Sequence, residues 1–185
     1  MRISVFILML VIILGCTEDY MPKPYGELRL TYPEADYSWF ETDCPFTFQY
    51  STLAVKKPKD SLCRYNIYYP NMKATIYLTY EPIPEQGIES LIRDSEKSVY
   101  EPHASRATYI DPNLIIRKRD HVYGTLYELG GESAMNYQFH VTDSVQNFLR
   151  GSVYFKTHPK PDSLAPAVAY IQKDVMKLME TIRWK

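Results

Sequence analysis

Hydrophobic and polar positions along this chain change period several times, and each change marks an element. Residues 5–14 carry no polar side chain at all. From residue 26 to 32 the pattern alternates, with Leu28 and Leu30 against Arg29 and Thr31, the period-two signature of a half-buried strand. Residues 46–50 follow Cys44-Pro45 as a second strand. Residues 65–69 and 73–80 flank the turn pair Pro70-Asn71, and Ala74, Ile76, Leu78 and Tyr80 share one face. A hairpin is predicted there.

Between residues 85 and 100 the period lengthens. Ile88, Leu91, Ile92, Ser95 and Val99 fall on one helical face, Glu89, Arg93, Asp94 and Lys97 fall elsewhere, and Pro102 stops the helix. Runs at 122–129, 134–141 and 148–156 return to strand character, bounded by Gly130-Gly131 and Thr142-Asp143-Ser144, and predict a meander. At the end, Val168, Ile171, Val175, Leu178 and Ile182 recur at three and four residues. They predict a core-facing helix of about five turns, with Ser163 as N-cap and Pro166 in the tolerant first turn. The order predicts one α+β domain over residues 26–185, a mostly antiparallel sheet packed by a central helix and a C-terminal amphipathic helix on one face.

The greasy run at the start has a different meaning. It follows Arg2 and is roughly half the ~20 residues a membrane span needs, so residues 1–15 read as a signal peptide and are set aside from the fold. Ile13-Leu14-Gly15-Cys16 resembles a bacterial lipobox, in which Cys16 is acylated and becomes the new amino terminus. Several acyl chains on one residue, at about 0.8 kcal/mol per buried methylene, hold a protein to a lipid bilayer durably. Residues 16–25, with Pro22 and Pro24, form an extended tether reaching about 30 Å. Thr17 beside the cysteine, where an inner-membrane retention aspartate would stand, favours the outer membrane by analogy. The acidic pair Glu18-Asp19 fits either a surface-export signal or a solvated tether, so the membrane face stays open.

Charge and cysteine content narrow the rest. The whole chain carries 21 basic and 22 acidic residues, and this balance offers no basic stripe for nucleic acid. With Cys16 acylated, Cys44 and Cys63 remain, and in an exported chain a disulfide between them is expected. Two buried free thiols are the alternative. No Cys-x-x-Cys or His cluster suggests a metal, and no cofactor is implied.

Candidate chemistry is sparse. Gly131-Glu132-Ser133-Ala134 begins like a nucleophile elbow, but Met135 takes the last glycine position and a strand pattern follows where a helix is required; a hairpin turn explains it better. His103, His121, His140 and His158 are dispersed, and only His140, with Asp143 close in sequence, invites an acid–base reading. The 17 tyrosines fit half-buried strands, yet Tyr77 opposes Ile76 and Leu78, and Tyr68 opposes Tyr69, so some rings point outward and could stack on sugars or hold a partner. The cluster 117–120, Arg-Lys-Arg-Asp, reads as a solvated turn, with lipid headgroups or an acidic partner as the alternative.

Several ordered blocks carry a resemblance: residues 21–30 (MPKPYGELRL), 43–50 (DCPFTFQY), 73–80 (KATIYLTY), 142–155 (TDSVQNFLRGSVYF) and the end from Asp162-Ser-Leu-Ala-Pro to Trp184-Lys185. In this order they resemble the gliding motility lipoprotein family GldD of Bacteroidetes over nearly the whole mature chain. The resemblance implies an envelope lipoprotein without enzymatic activity, working with other gliding and type IX secretion proteins, its lipobox on Cys16 and no catalytic residue to carry over. A surface glycan-binding lipoprotein is the rival reading.

Overall fold

The computed structural model describes residues 31–60, 62–103, 107–131, 137–156 and 161–185. Cys16 and the predicted tether therefore lie outside the described residues, as do Ser133, His158 and most of the strand expected at 26–32; its remnant, from residue 31, is irregular.

Seven antiparallel strands form the main sheet: β4 (Val55–Pro58), β5 (Arg64–Tyr69), β6 (Ala74–Pro82), β7 (Ala107–Arg117), β8 (Val122–Gly131), β9 (Tyr137–Thr142) and β10 (Asn147–Phe155). Their spatial order is β4-β5-β6-β10-β9-β8-β7. The hairpin predicted around Pro70-Asn71 is β5–β6, closed by a 3-10 turn at Pro70–Met72 whose cap, Lys73, adopts a left-handed φ of 49°. The predicted meander is β8-β9-β10. Between these two units β10 pairs with β6, Val153 opposite Ile76 and Gly151 opposite Leu78, and joins them into one sheet.

The two faces of the sheet follow from strand alternation. Ile67 and Tyr69, Ala74, Ile76 and Leu78, Phe139 and Val141, and Leu149, Val153 and Phe155 all turn to one side and are buried. This inner face is covered by α2 (Pro161–Thr181), whose Ile171, Val175, Leu178 and Met179 are fully buried as the sequence period requires. The rest of its cover is an aromatic layer from β1 (Tyr37–Trp39), β2 (Phe46–Thr47) and β3 (Gln49–Ser51), in which Phe40 and Phe48 stack at 4.5 Å and Phe46 is fully buried. Each such ring contributes roughly 1.5–3 kcal/mol by burial. The chain end, β11 (Arg183–Trp184), pairs with β2 and ties this layer down.

Helix α1 (Glu89–His103) occupies the opposite, outer face, which corrects the expectation of two helices on one face. Among its described side chains the buried ones are Ser95 and Val99, both on the predicted stripe. Val99 packs with Tyr127 and Leu129 of β8, while β9 is buried along its whole length because each helix covers one of its sides. Two helix boundaries also shift. Pro102 lies inside the last turn of α1, and α2 begins at Pro161, so Pro166 falls in its second turn.

Gly151 on β10 has a steric reason: a Cβ there would stand 2.2 Å from the ring of Phe139 on the paired strand. The Cys44 and Cys63 sulfurs lie at bonding distance, 1.98 Å, with Cα atoms 5.8 Å apart.

Candidate functional site

The outer face is open to a ligand among the described residues, because α1 covers only its β8–β9 half. Alternation and register set out its residues in rows across the strands. Lys73 and Lys156 stand at one end, with the Lys156 N–H donating to the Lys73 carbonyl at 2.9 Å. Next come Tyr68, Thr75 and Tyr154; then Asn66, Tyr77, Ser152 and Gln138; then Arg64, Thr79, Arg150 and His140. Tyr77 and Tyr68 point away from the core as expected from the sequence, Tyr77 being 41% exposed between the buried Ile76 and Leu78 and Tyr68 half-buried, and the structure adds Tyr154, 40% exposed, to the same face.

Two adjoining cavities lie in this face and share Tyr77 as a wall. One, of about 640 Å³, is bounded by Tyr68, Tyr77, Tyr154, Lys73 and Lys156 around Thr75. The other, of about 350 Å³, runs along α1 between Ser95, Ser98, Gln138, Arg150 and Ser152. Both fall within the size range of small-ligand clefts. Their charges differ in kind. Arg64 pairs with Asp60 at 2.6 Å and Arg150 with Glu81 at 2.9 Å, whereas Lys73 and Lys156 have no carboxylate partner among the described residues. Lys57 reaches over the Tyr68 ring at 4.9 Å, a cation–π contact.

Beneath the second cavity His140 meets Ser95, Oγ to Nδ1 at 3.3 Å, with both side chains buried. The imidazole stacks on Phe148 at 5.5 Å. Burial lowers its pKa from 6.5 to about 4, so it is neutral at physiological pH. Asp143, the carboxylate near it in sequence, is not its partner. Its Oδ1 accepts the N–H groups of Val145, Gln146 and Asn147, and Oδ2 accepts the Asn147 amide, so it shapes the β9–β10 turn. Among the described residues no carboxylate orients the imidazole, and the Ser95–His140 contact reads as a polar tie between helix and sheet.

A second buried polar centre lies on the inner side. Asp174 of α2 is 2% exposed, and its Oδ1 accepts from the Tyr37 hydroxyl at 2.8 Å. The Tyr69 and Ser51 hydroxyls also help hold its charge, although Oδ2 lacks a hydrogen bond of good geometry. Desolvation nonetheless raises its pKa, and Tyr37 and Tyr69 are raised in turn. Nothing in the spacing of these residues announced this cluster. Its members are separated by up to 137 positions and meet only through packing.

The basic cluster at 117–120 proves to be a turn with one internal task. Arg117 pairs with Asp120 at 2.7 Å and donates to the carbonyls of Met179 and Ile182 at the end of α2. It caps that helix terminus, where a cation is favourable. His121 follows in a left-handed conformation, its carbonyl accepting from Trp184 Nε1.

The remaining feature is the rim of the sheet. At one edge β4 is short and carries Lys56, Lys57 and Pro58, devices that discourage further strand pairing. At the other edge β7 runs for 11 residues and, among the described residues, pairs only with β8. Pro112 has no N–H to give, so its pair with Tyr127 directs backbone groups away from β8; by alternation Leu114 and Ile116 do the same. Their side chains are 74% and 60% exposed.

Comparison with protein families gives a match over residues 17–184 to the family described as gliding motility lipoprotein GldD. No curated protein matches the chain.

Proposed function

The chain belongs to the gliding motility lipoprotein GldD family, and from that premise we propose that it is a non-enzymatic component of an envelope complex, held in the outer membrane by acylated Cys16. Its partners are other proteins of the gliding and type IX secretion apparatus. The observation that carries this reading is the open edge of β7. An 11-residue strand whose outer backbone groups have no strand partner among the described residues, with Leu114 and Ile116 exposed, is suited to accept an extended segment from another protein, the backbone supplying affinity and the side chains selectivity. Among described residues Tyr32 packs on Tyr170 of α2 at 5.4 Å, so the chain leading from the anchor joins the domain on its inner side.

Two measurements test the reading. A photo-crosslinking residue at position 114 should capture a gliding or secretion protein in intact cells, and Leu114→Glu with Ile116→Glu should abolish both capture and spreading. Recovery of the protein alone from solubilised envelopes would count decisively against it. Cys16→Ala should move the protein from the membrane to the soluble fraction; retention in the membrane would remove Cys16 as anchor.

A second reading, a glycan-binding lipoprotein, is supported by the outward rings of Tyr68, Tyr77 and Tyr154. Amphipathic rings of this kind suit sugar stacking.

A further inference from the structure

We propose that the basin around Thr75 binds an acidic glycan, a chain of pyranose rings bearing carboxylates. The proposal rests on the glycan reading and goes further by assigning the ligand's charge and the residues that select it.

The geometry comes from the register. Tyr68 and Tyr154 flank Thr75 on the two neighbouring strands, and Tyr77 follows Thr75 by two positions on the same face. With strands ~4.8 Å apart and ~3.4 Å per residue, the two flanking tyrosines start roughly 10 Å apart with a small side chain between them. The floor is therefore open and the walls are aromatic. A pyranose ring presents C–H groups on its faces and hydroxyls at its rim, which matches ring walls beside the polar Ser152 and Gln138 of the adjoining cavity.

Charge decides between neutral and acidic sugars. Three ammonium groups, on Lys57, Lys73 and Lys156, stand at or beside this basin, and none pairs with a carboxylate among the described residues. The two arginines of the same face are each neutralised by an acid. The positive potential of the face is thus concentrated at its aromatic end, where it attracts an anion. Large aliphatic side chains of the same strands, Ile76, Leu78 and Val153, are buried on the other side. The basin's lining is therefore threonine, lysine and tyrosine, hydroxyl and ammonium groups beside ring faces, which suits a hydroxyl-rich anion, and poly-glutamate in the test below distinguishes an acidic peptide.

The face also stays accessible in an anchored protein. Tyr32 joins at the α2 layer, and the basin lies on the opposite side of the sheet.

The test uses the full-length acylated protein in detergent, applied to an array of oligosaccharides containing uronate, sialate and muramic-acid sugars beside neutral oligosaccharides, with poly-glutamate as a charge control. The expected result is binding to at least one acidic class at least tenfold tighter than to the neutral set and to poly-glutamate. Lys73→Gln with Lys156→Gln should remove that preference. Tyr77→Ala should weaken binding roughly three- to tenfold while Tyr77→Phe retains it, and circular dichroism should show both variants folded. Equal binding of neutral and acidic glycans would overturn the charge assignment and leave the glycan reading standing. Equal binding of poly-glutamate would overturn the proposal in favour of charge alone, and absence of any glycan binding would overturn both this proposal and the reading beneath it.

Discussion

His140 makes the folded state sensitive to mild acid, by an amount that can be worked from its surroundings. The ring sits between Phe148, Tyr127 and α1, touching Ser95, and burial lowers its pKa from 6.5 to about 4. An unfolded chain takes a proton at this position near pH 6.5, while the folded chain resists until about pH 4. The stability contributed by the neutral histidine is therefore fully present above pH 6.5 and is lost as pH falls to the folded value. At ~1.4 kcal/mol per pH unit this window is worth about 3 kcal/mol. Arg150, opposite His140 on the paired strand, is itself bound to Glu81.

Other groups titrate at lower pH or in the opposite direction. Asp143 and Asp120 have lowered pKa values, Asp143 through the turn N–H groups that overcome its desolvation and Asp120 through Arg117. Their contributions are present above about pH 3.8 and are lost only below it. Asp174 acts in the reverse sense. Its raised pKa, caused by desolvation, means the folded state gains relative stability as pH falls through that value. A comparison of wild type with His140→Gln cancels these shared effects. Urea titrations at 25 °C from pH 7.5 to 4 should show wild type losing about 3 kcal/mol more than the variant across the range. Parallel curves would refute the argument, because they would mean that the histidine titrates alike in both states.

Three further outcomes follow from the packing. Gly151→Ala should destabilise by about 1–3 kcal/mol in thermal or urea unfolding, since the added Cβ meets the buried Phe139 ring and forces it or β10 aside. Asp174→Ala should cost about 1–3 kcal/mol by depriving the Tyr37 and Tyr69 hydroxyls of their acceptor, while Asp174→Asn, which keeps an acceptor and removes the charge, should cost less at pH 7. Denaturant unfolding of both variants separates the two effects. Replacing Cys44 and Cys63 by serine should lower stability by about 3 kcal/mol, the loop-entropy value for a separation of 19 residues, and a reductant should reproduce that loss in wild type and leave the variant unchanged.

The contrast between legible and hidden elements has a local cause. The hairpin β5–β6 and the meander β8-β9-β10 announce themselves because each strand carries its own alternation and each turn its own chemistry. Helices α1 and α2 were legible through the apolar stripes ending in Val99 and in Ile182. Strand β7 was not foreseen. Asp111-Pro112-Asn113 interrupts it with residues that read as a turn, and an edge strand with an exposed outer row shows little hydrophobic contrast. Strands β1, β4 and β11 are two to four residues long, too short for a period to register. Of the candidate site, the outward Tyr68 and Tyr77 were readable from alternation alone, while Tyr154 was not singled out. The lysine pair and the two cavities were not, because they depend on β10 lying beside β6.

From its order of residues alone this chain determined the α+β class, most strands with their inward faces, and the blocks that resemble its family. These are local properties, written in spacing and side-chain type. Tertiary structure alone decided that the helices lie on opposite faces, that His140 meets Ser95 instead of Asp143, and that Asp174 gathers hydroxyls from distant strands. It also decided which edge of the sheet is left open. Each of these depends on which strand lies beside which. The strand order β6-β10-β9 is a choice among pairings with similar local patterns, made by the burial of the whole inner face at once.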